Sequence, residues 1–167
     1  DYYDDVETRN AWKEAEEQNE DMDVFLKAVH RQSRDNARTP LQWNDSEFAG
    51  FSTNKPWIDV NSNYEKINVE IQKDNPDSIL NYYRRIIKIR KKNFALIYGD
   101  FLDLEPNNEK LYIYKRWDQK KTFIVVLNFC DDKSQWNIND FNSMSLVISN
   151  YKKTKFTKTF DPWESRV

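Results

Sequence analysis

One segment of the sequence gathers side chain types that can bind a hydroxylated ligand. Residues 33–43 contain two arginines, an aspartate, an asparagine and a glutamine, and they end in a tryptophan. Guanidinium and carboxamide groups suit paired hydrogen bonds to neighbouring hydroxyls, and an indole face suits a sugar ring. The simpler alternative is that Arg34 and Arg38 pair with nearby acids and hold an irregular loop. Composition taken by itself favours that structural alternative.

The sequence offers little for metal, nucleophilic or phosphate chemistry. His30 is the only histidine and Cys130 the only cysteine, which excludes the usual zinc sites, and no metal or cofactor is predicted. A Ser-His-Asp triad would have to use His30, for which a surface or packing role is favoured. Gly50 and Gly99 are the only glycines, too few for a phosphate-binding loop. Cys130 follows an apolar run, which predicts a buried structural thiol.

Carboxylates are abundant, but none is singled out as catalytic. A glycosidase that retains anomeric configuration needs two of them about 5 Å apart, one protonated and one ionised. No spacing in this sequence indicates such a pair. Asp4-Asp5 and Asp131-Asp132 are typical of a helix start and of a turn. We therefore predict no catalytic residue in the chain.

The composition argues against nucleic acid and membrane partners. The 167 residues include 26 basic and 28 acidic side chains, a net charge of −2 without a concentrated basic surface. The lysine-rich run 151–158 is interleaved with apolar residues, as in a strand with one solvated face. No apolar run approaches the roughly 18 residues of a membrane span. The lone cysteine permits no intrachain disulfide and fits a reducing compartment, so a cytoplasmic location is predicted.

Helical patterns occupy three parts of the chain. Residues from about 6 to 17 carry helix formers, and Asp21 can cap a second helix with apolar residues at helical spacing. The clearest helix is predicted over about 76–92, with Asn75 as its cap. Between them, residues 33–74 lose this pattern but keep aromatic anchors, which predicts a long, ordered functional loop. These anchors are Trp43, Phe51 and Trp57.

The pattern becomes that of strands in the second half of the chain, after a boundary near residue 95. Residues 111–117 and 122–129 are rich in β-branched and aromatic side chains, and the polar turn 118–121 joins them, so a hairpin is predicted. Further short strands are predicted around residue 136 and at 146–149, 156–160 and 163–167. Together they predict a small antiparallel sheet or sandwich. Because glycine is so scarce, asparagine and aspartate are expected at the turn positions that it would otherwise take.

Several long motifs of the chain resemble those of bacterial oligo-1,6-glucosidases, members of glycoside hydrolase family 13. They are SRDNARTPLQW at 33–43, AGFS at 49–52, KPWIDVNSNYEKINV at 55–69 and DSILNYYRRIIKIRKKN at 77–93. Dextran glucosidases and trehalose-6-phosphate hydrolases are related enzymes of the same family. The similarity is strongest over 33–98 and looser in the β-rich half. YGDF at 98–101 and DPWESRV at 161–167 resemble the start and the end of that family's C-terminal domain.

The resemblance implies an α+β chain made of two unlike parts. Residues 1–94 would be the C-terminal part of a catalytic (β/α)₈ barrel, after its eighth strand and including its last helix. Residues 95–167 would be an antiparallel β-sandwich, the C-terminal domain. Barrels of this kind carry their chemistry on the loops at the C-terminal ends of the strands, and the 33–43 loop would belong to that face.

The resemblance also assigns residue roles. The family's nucleophilic aspartate, its acid/base glutamate and its third aspartate lie in motifs on earlier barrel strands, and this chain has none of those motifs. No catalytic residue is therefore carried over. Arg38 resembles the family arginine that reaches the substrate's hydroxyls near the cleaved bond. Arg34, Asp35 and Asn36 match the same motif, with the implied role of ordering the loop so that Arg38 points inward.

The function implied is that of a retaining α-glucosidase cutting α-glucosidic bonds, α-1,6 bonds in particular, of gluco-oligosaccharides. The chain would be its C-terminal fragment, inactive alone and bound to the remainder of the barrel. The alternatives are a fragment of a trehalose-6-phosphate hydrolase or sucrose isomerase, or a non-enzymatic relative such as an amino-acid-transporter heavy chain. A free-standing sugar-binding β-module would leave residues 1–94 unexplained. The motifs of this chain do not distinguish the linkage or the oligomeric state.

Overall fold

The computed structural model describes residues 3–138 and 143–167. The helices are α1 (Val6–Glu17), α2 (Met22–Gln32), α3 (Val69–Asp74), α4 (Ile79–Lys92) and α5 (Phe94–Tyr98). Short 3₁₀ helices span Arg34–Ala37, Glu47–Gly50 and Ser62–Glu65. The strands are β1 (Asp100–Asp103), β2 (Leu111–Trp117), β3 (Thr122–Asn128), β4 (Ser134–Gln135), β5 (Thr159–Phe160) and β6 (Ser165–Arg166).

The chain separates into two compact units, Asp1–Leu80 and Asn81–Val167. The domain boundary predicted near residue 95 stays a prediction, because compactness alone does not distinguish the end of a barrel from the domain that follows it. The first unit is built from helices and loops, and the second contains all the strands of the described residues.

Helices α1 and α2 contact each other in the first unit. The ring of Trp12 on α1 meets that of Phe25 on α2 edge to face, with 5.8 Å between the ring centroids. Asp21 begins α2 as predicted, because its Oδ1 accepts hydrogen bonds from the backbone N–H groups of Asp23 (3.0 Å) and Val24 (3.2 Å). These two donors have no partner inside the helix, so the cap stabilises its first turn.

The loop after α2 contains a left-handed turn. Phe48, Ala49 and Gly50 have φ angles of 52°, 56° and 64°. Positive φ costs a residue other than glycine about 1–2 kcal/mol. The carbonyl of Ala49 offsets this cost by accepting from the backbone N–H groups of Trp43 (2.8 Å) and Asn44 (3.2 Å). The turn therefore holds the end of the 33–43 motif in a defined path.

The prediction of an irregular segment over 33–74 is wrong at its end, where α3 forms. Asn68 caps this helix, because its Oδ1 accepts from the backbone N–H of Ile71 at 2.9 Å. Six residues are too few to produce a periodic apolar pattern, so the helix gives no signal in the sequence. The backbone N–H of Val69 donates to the carbonyl of Gln42 at 2.9 Å, which closes the loop.

Helix α4 begins at Ile79 rather than at the predicted residue 76. Asn75, the predicted cap, lies four residues before this start, and its Oδ1 accepts from the backbone N–H of Asp77 at 2.9 Å, which makes a turn before the helix. The backbone N–H of Leu80 donates instead to Oε1 of Gln72 at 3.1 Å. A side chain on α3 thus caps α4, a contact that local sequence rules do not anticipate.

The second unit contains an antiparallel sheet with the strand order β1-β2-β3-β6. The predicted hairpin is confirmed, with β2 and β3 paired from Leu111 and Asn128 to Trp117 and Thr122. Asp118 shapes the turn between them: its Oδ1 accepts from the backbone N–H groups of the two lysines at 120 and 121, at 2.7 and 2.8 Å. These hydrogen bonds hold the pKa of Asp118 below its ordinary value.

The core of this unit lies between the larger sheet and the two-stranded sheet formed by β4 and β5. Its buried members are Leu111, Ile113, Val126, Trp136 and Phe160. Alternate residues of β2 contribute to it, as expected for a strand with one buried face.

A fully buried ion pair joins the C-terminal strand to this core. The Arg166 guanidinium forms two bonds with the Glu164 carboxylate, at 2.6 and 2.8 Å, and it also donates to the carbonyls of Thr157 and Thr159. Its centre lies 4.2 Å from the ring centroid of Phe160. Burial acts to raise the pKa of Glu164, but the bonds and charge of Arg166, together with the backbone N–H of Asp161, outweigh burial and hold the pKa below its ordinary value.

The strands predicted near the C-terminus are shorter than expected. Residues 156–160 contribute only β5, and residues 163–167 contribute only β6. Trp163 has a positive φ of 56°, which ends the extended backbone just before β6. Residues 146–149 make an isolated bridge at Ser149 instead of a strand.

The single cysteine is less protected than its sequence context indicates. Cys130 is half-buried, so the prediction of a buried structural thiol is wrong. It lies just past the end of β3, where the alternation of buried and exposed residues no longer applies. Its Sγ lies 3.9 Å from the backbone carbonyl of Lys110.

Candidate functional site

The 33–43 motif is organised around the carboxylate of Asp35. This residue is 6% exposed, and its Oδ2 accepts from the backbone N–H groups of Asp4 (2.7 Å) and Asp5 (3.0 Å). The donors lie about thirty residues earlier in the chain, at the start of α1. Ser33 supports the arrangement by accepting from the backbone N–H of Asp35 at 3.4 Å. The motif is thereby fastened to the N-terminal end of α1.

The charge state of Asp35 follows from these contacts. Burial acts to raise its pKa, but the backbone N–H groups of Asp4 and Asp5 and the guanidinium of Arg38 together outweigh burial. The pKa of Asp35 is therefore lower than its ordinary value. A carboxyl with a lowered pKa is ionised at neutral pH, so Asp35 is unsuited to donate a proton.

Arg38 is anchored through one of its nitrogens. Its Nη2 hydrogen-bonds to Oδ1 of Asp35 and lies 4.0 Å from Oδ1 of Asp5. The centre of its guanidinium lies 5.4 Å from the ring centroid of Trp57, over the ring. Within residues 3–138 and 143–167, Nε and Nη1 of Arg38 make no hydrogen bond. Its side chain is 37% exposed, so these donors can reach a ligand.

Asn36 and Arg34, also predicted to order the loop, occupy different environments. Asn36 donates from Nδ2 to the carbonyls of His30 (3.0 Å) and Val29 (3.4 Å), which satisfies acceptors at the C-terminal end of α2. The side chain of Arg34 is 64% exposed and lies 3.9 Å from that of Glu7, itself 80% exposed. An ion pair that exposed contributes little to stability. Asp35 and Asn36 thus connect the loop to both helices, whereas Arg34 lies at the surface; the ordering role of all three stays a prediction.

A cleft of about 290 Å³ opens beside Asp35. It is lined by Tyr3, Asp4, Asp35, Asn36, Thr39, Lys55, Trp57, Ile58 and Asp59. Its volume is near the lower end of the range for small-molecule pockets. Trp57 is 68% exposed, and the side chains of Lys55 and Asp59 form an ion pair at 3.1 Å.

Residues 55–59, which form one wall of the cleft, received no site role in the sequence analysis. Residues 55–59 belong to one of the motifs that carry the family resemblance, and Trp57 was expected only as an anchor of the loop. The signal that could have located this wall is a tryptophan directly after a proline within a polar segment. A fixed proline φ and a large aromatic face are suited to a binding surface.

The carboxylates of Asp35 and Asp59 already have charged or polar partners. Asp35 is committed to three donors, and Asp59 pairs with Lys55. In the described part of the chain, no group of three or more histidine, cysteine, aspartate or glutamate side chains is arranged to hold a metal ion. Among the same residues, no helix combines the length and apolar character needed to cross a bilayer.

Comparison with known proteins assigns the chain to a family. The profile of the α-amylase catalytic domain matches residues 2–99. The chain belongs to the α-amylase family, glycoside hydrolase family 13. The resemblance found in the sequence motifs is thereby confirmed, and relatives that match 99% of this chain include oligo-1,6-glucosidases and a glucan 1,6-α-glucosidase.

Three relatives illustrate the match, one compared by sequence and two by structure. The chain is 39% identical over 167 residues to the oligo-1,6-glucosidase of Heyndrickxia coagulans, an alignment covering 99% of this chain and 30% of that enzyme. The crystal structure of trehalose-6-phosphate hydrolase from Bacillus licheniformis superimposes with a TM-score of 0.88 at 31% identity, covering 98% of this chain and 31% of the other. Isomaltulose synthase from Erwinia rhapontici, solved with sucrose bound, gives 0.83 at 36% identity, with the same coverage.

The match covers only part of each relative. The chain spans about a third of the length of these relatives. Their (β/α)₈ barrels agree with the α+β character of this chain, in which helices and loops precede antiparallel sheets.

Proposed function

We propose that this chain is the C-terminal part of a retaining α-glucosidase that cleaves α-1,6 bonds of gluco-oligosaccharides, and that Arg38 binds the substrate. The geometry of Arg38 carries this proposal. Asp35 anchors one nitrogen of its guanidinium, while Nε and Nη1 keep their protons available on a side chain that is 37% exposed. A guanidinium held in this way can donate to two neighbouring hydroxyls of a glucose ring.

The proposal divides the work between two parts of the enzyme. Retention requires one carboxylate as nucleophile and a second as acid and base. In the cleft, Asp35 is ionised and bonded to three donors, so it is poorly suited to either role. We assign the chemical step to acids on earlier barrel strands and give Arg38 the task of orientation. Residues 1–94 are then the end of the barrel, and residues 95–167 its C-terminal β-sandwich.

The remainder of the barrel is the proposed partner of α4. Three apolar side chains recur at four-residue steps along this helix and therefore share one face. Ile79 is 78% exposed, Tyr83 64% and Ile87 44%. A row of large apolar side chains left open to water favours coverage by another surface. The relatives extend over about three times the length of this chain, which supports the barrel as that surface.

The charge of the cleft supports a neutral sugar as substrate. Its walls carry the carboxylates of Asp4, Asp35 and Asp59 against the ammonium of Lys55, with Arg38 beside them. This excess of negative charge disfavours a phosphorylated sugar at this wall. The relatives include a trehalose-6-phosphate hydrolase and an isomaltulose synthase, so these two activities are the alternatives to test.

A substrate panel on the full-length protein that contains this chain tests the proposal. We expect release of glucose from isomaltose and from an aryl α-glucoside, with the α-anomer formed first. Faster hydrolysis of trehalose-6-phosphate, or isomerisation of sucrose without net hydrolysis, would assign the chain to the corresponding alternative. The isolated 167-residue chain should give no turnover on the aryl glucoside, and turnover by it would refute the division of work.

A further inference from the structure

The contact between Arg38 and Trp57 restrains the guanidinium differently from the contact with Asp35. The guanidinium centre lies 5.4 Å from the centroid of the indole ring, within the range of cation–π attraction. Such a contact uses the π-face of the ring and the charge of the cation, and it consumes none of the five N–H donors of an arginine. Asp35 already occupies Nη2. A second carboxylate at the position of Trp57 would restrain the side chain equally well, but it would occupy further donors.

Trp57 is well placed to act as a fixed support. It follows Pro56, whose ring fixes its own φ and reduces the freedom of the backbone at this point. Lys55 and Asp59, which flank Trp57 in the sequence, form an ion pair at 3.1 Å. The indole itself is 68% exposed and lines the cleft. Its position beside the guanidinium therefore belongs to the binding surface and not to a buried core.

We propose that Trp57 is a positioning residue that holds the Arg38 guanidinium so that Nε and Nη1 meet the hydroxyls of the bound sugar. This inference rests on the proposed function, because it acts through Arg38. Without the indole, Arg38 keeps one anchor at Asp35 and regains rotation about its terminal bonds. Its two free donors then spend less time in the binding geometry, and the loss of preorganisation lowers affinity and rate.

A double-mutant cycle in the full-length enzyme tests the inference. Trp57→Ala should lower kcat/KM for an aryl α-glucoside by about 3- to 30-fold, the range expected from the loss of one cation–π contact. Trp57→Phe keeps an aromatic face and should recover most of that loss, whereas Trp57→Leu should not. In an Arg38→Ala background, Trp57→Ala should lower kcat/KM by less than about 2-fold, because residues acting in one unit are not additive.

The controls separate the possible failures. Phe51→Ala removes another half-exposed aromatic of the same unit, outside the cleft, and should leave kcat/KM unchanged. Circular dichroism and the thermal midpoint identify any variant that fails to fold, and in that case Trp57→Phe against Trp57→Leu decides. The outcomes distinguish the inference from the proposed function. If Arg38→Ala lowers activity and Trp57→Ala does not, the inference fails and the proposed function stands. If the two effects add, Trp57 acts independently and the inference is wrong. If Arg38→Ala has no effect, the proposed function itself fails at Arg38.

Discussion

The exchange of Asp35 for alanine removes the acceptor of two backbone N–H groups at the start of α1. The donors belong to Asp4 and Asp5, at 2.7 and 3.0 Å, and Asp5 is buried, so water replaces the lost oxygen poorly. Hydrogen bonds to a charged group contribute about 1.5–3 kcal/mol each. The two bonds share one carboxylate, so we expect local opening of this segment to become easier by about 2–4 kcal/mol. The ion pair with Arg38 adds little, because that side chain is 37% exposed.

Amide hydrogen exchange of the full-length protein measures this local opening directly. A change of 2–4 kcal/mol corresponds to exchange about 30- to 1,000-fold faster at the amides of Asp4 and Asp5. Asp35→Asn keeps one acceptor oxygen without the charge, so its increase should be smaller. Asp45→Ala removes an exposed carboxylate from the same unit and should leave these amides unchanged. Exchange in Asp35→Ala within about 2-fold of the wild type would refute the central role of Asp35.

Three further outcomes follow from the same contacts. Arg38→Ala in the full-length enzyme should reduce kcat/KM on an aryl α-glucoside by about 10²-fold, the order expected for lost orientation. Arg9→Ala, which changes an exposed arginine, is the control. Near-normal activity of Arg38→Ala would remove Arg38 from the site. Glu164→Ala leaves the guanidinium of Arg166 buried without its carboxylate, and we expect about 3–5 kcal/mol less stability in urea denaturation; an unchanged midpoint would contradict this. The folded-state pKa of Glu164 is lowered, so its stabilisation is present above the unfolded value of about 4.3 and is lost as pH falls through the folded value. Thermal midpoints should therefore drop in acid less steeply for Glu164→Gln than for the wild type, and equal slopes would assign the acid sensitivity to other carboxylates.

The fold was predictable wherever local rules govern it. The Asp21 cap and the hairpin of β2 and β3 depend on side chains within a few residues, and both form as expected. The start of α4 was not predictable, because the backbone N–H of Leu80 in its first turn donates to Gln72 from another helix. Asparagine and aspartate were expected at turn positions that glycine would otherwise take, and Asn19 does adopt a positive φ. Phe48 and Ala49 adopt it too, and the carbonyl of Ala49 accepts from the backbone N–H of Trp43 in the 33–43 motif. These departures all come from tertiary contacts that override local preference.

The candidate site was also predictable only in part. Its composition was visible in the sequence, since a short segment with two arginines and several amides is unusual. The central role of Asp35 was not visible, because its partners lie about thirty residues away at the start of α1. Trp57 was recognised as an anchor, but its contact with Arg38 requires the loop to fold back over about twenty residues. Spacing along the chain carries no information about such contacts.

The electrostatics of Asp35 explain why a binding arginine and a catalytic acid belong on different parts of a glycosidase. A carboxylate that anchors a guanidinium must stay ionised, and Asp35 does so through two backbone donors and Arg38. A general acid needs the opposite environment, few donors and burial without a cation, so that its pKa rises towards neutrality. One carboxyl cannot meet both demands. If Asp35 is the anchor, the acid of the proposed reaction must lie in surroundings poorer in hydrogen-bond donors. The proposed division of work requires such an acid on the earlier barrel strands.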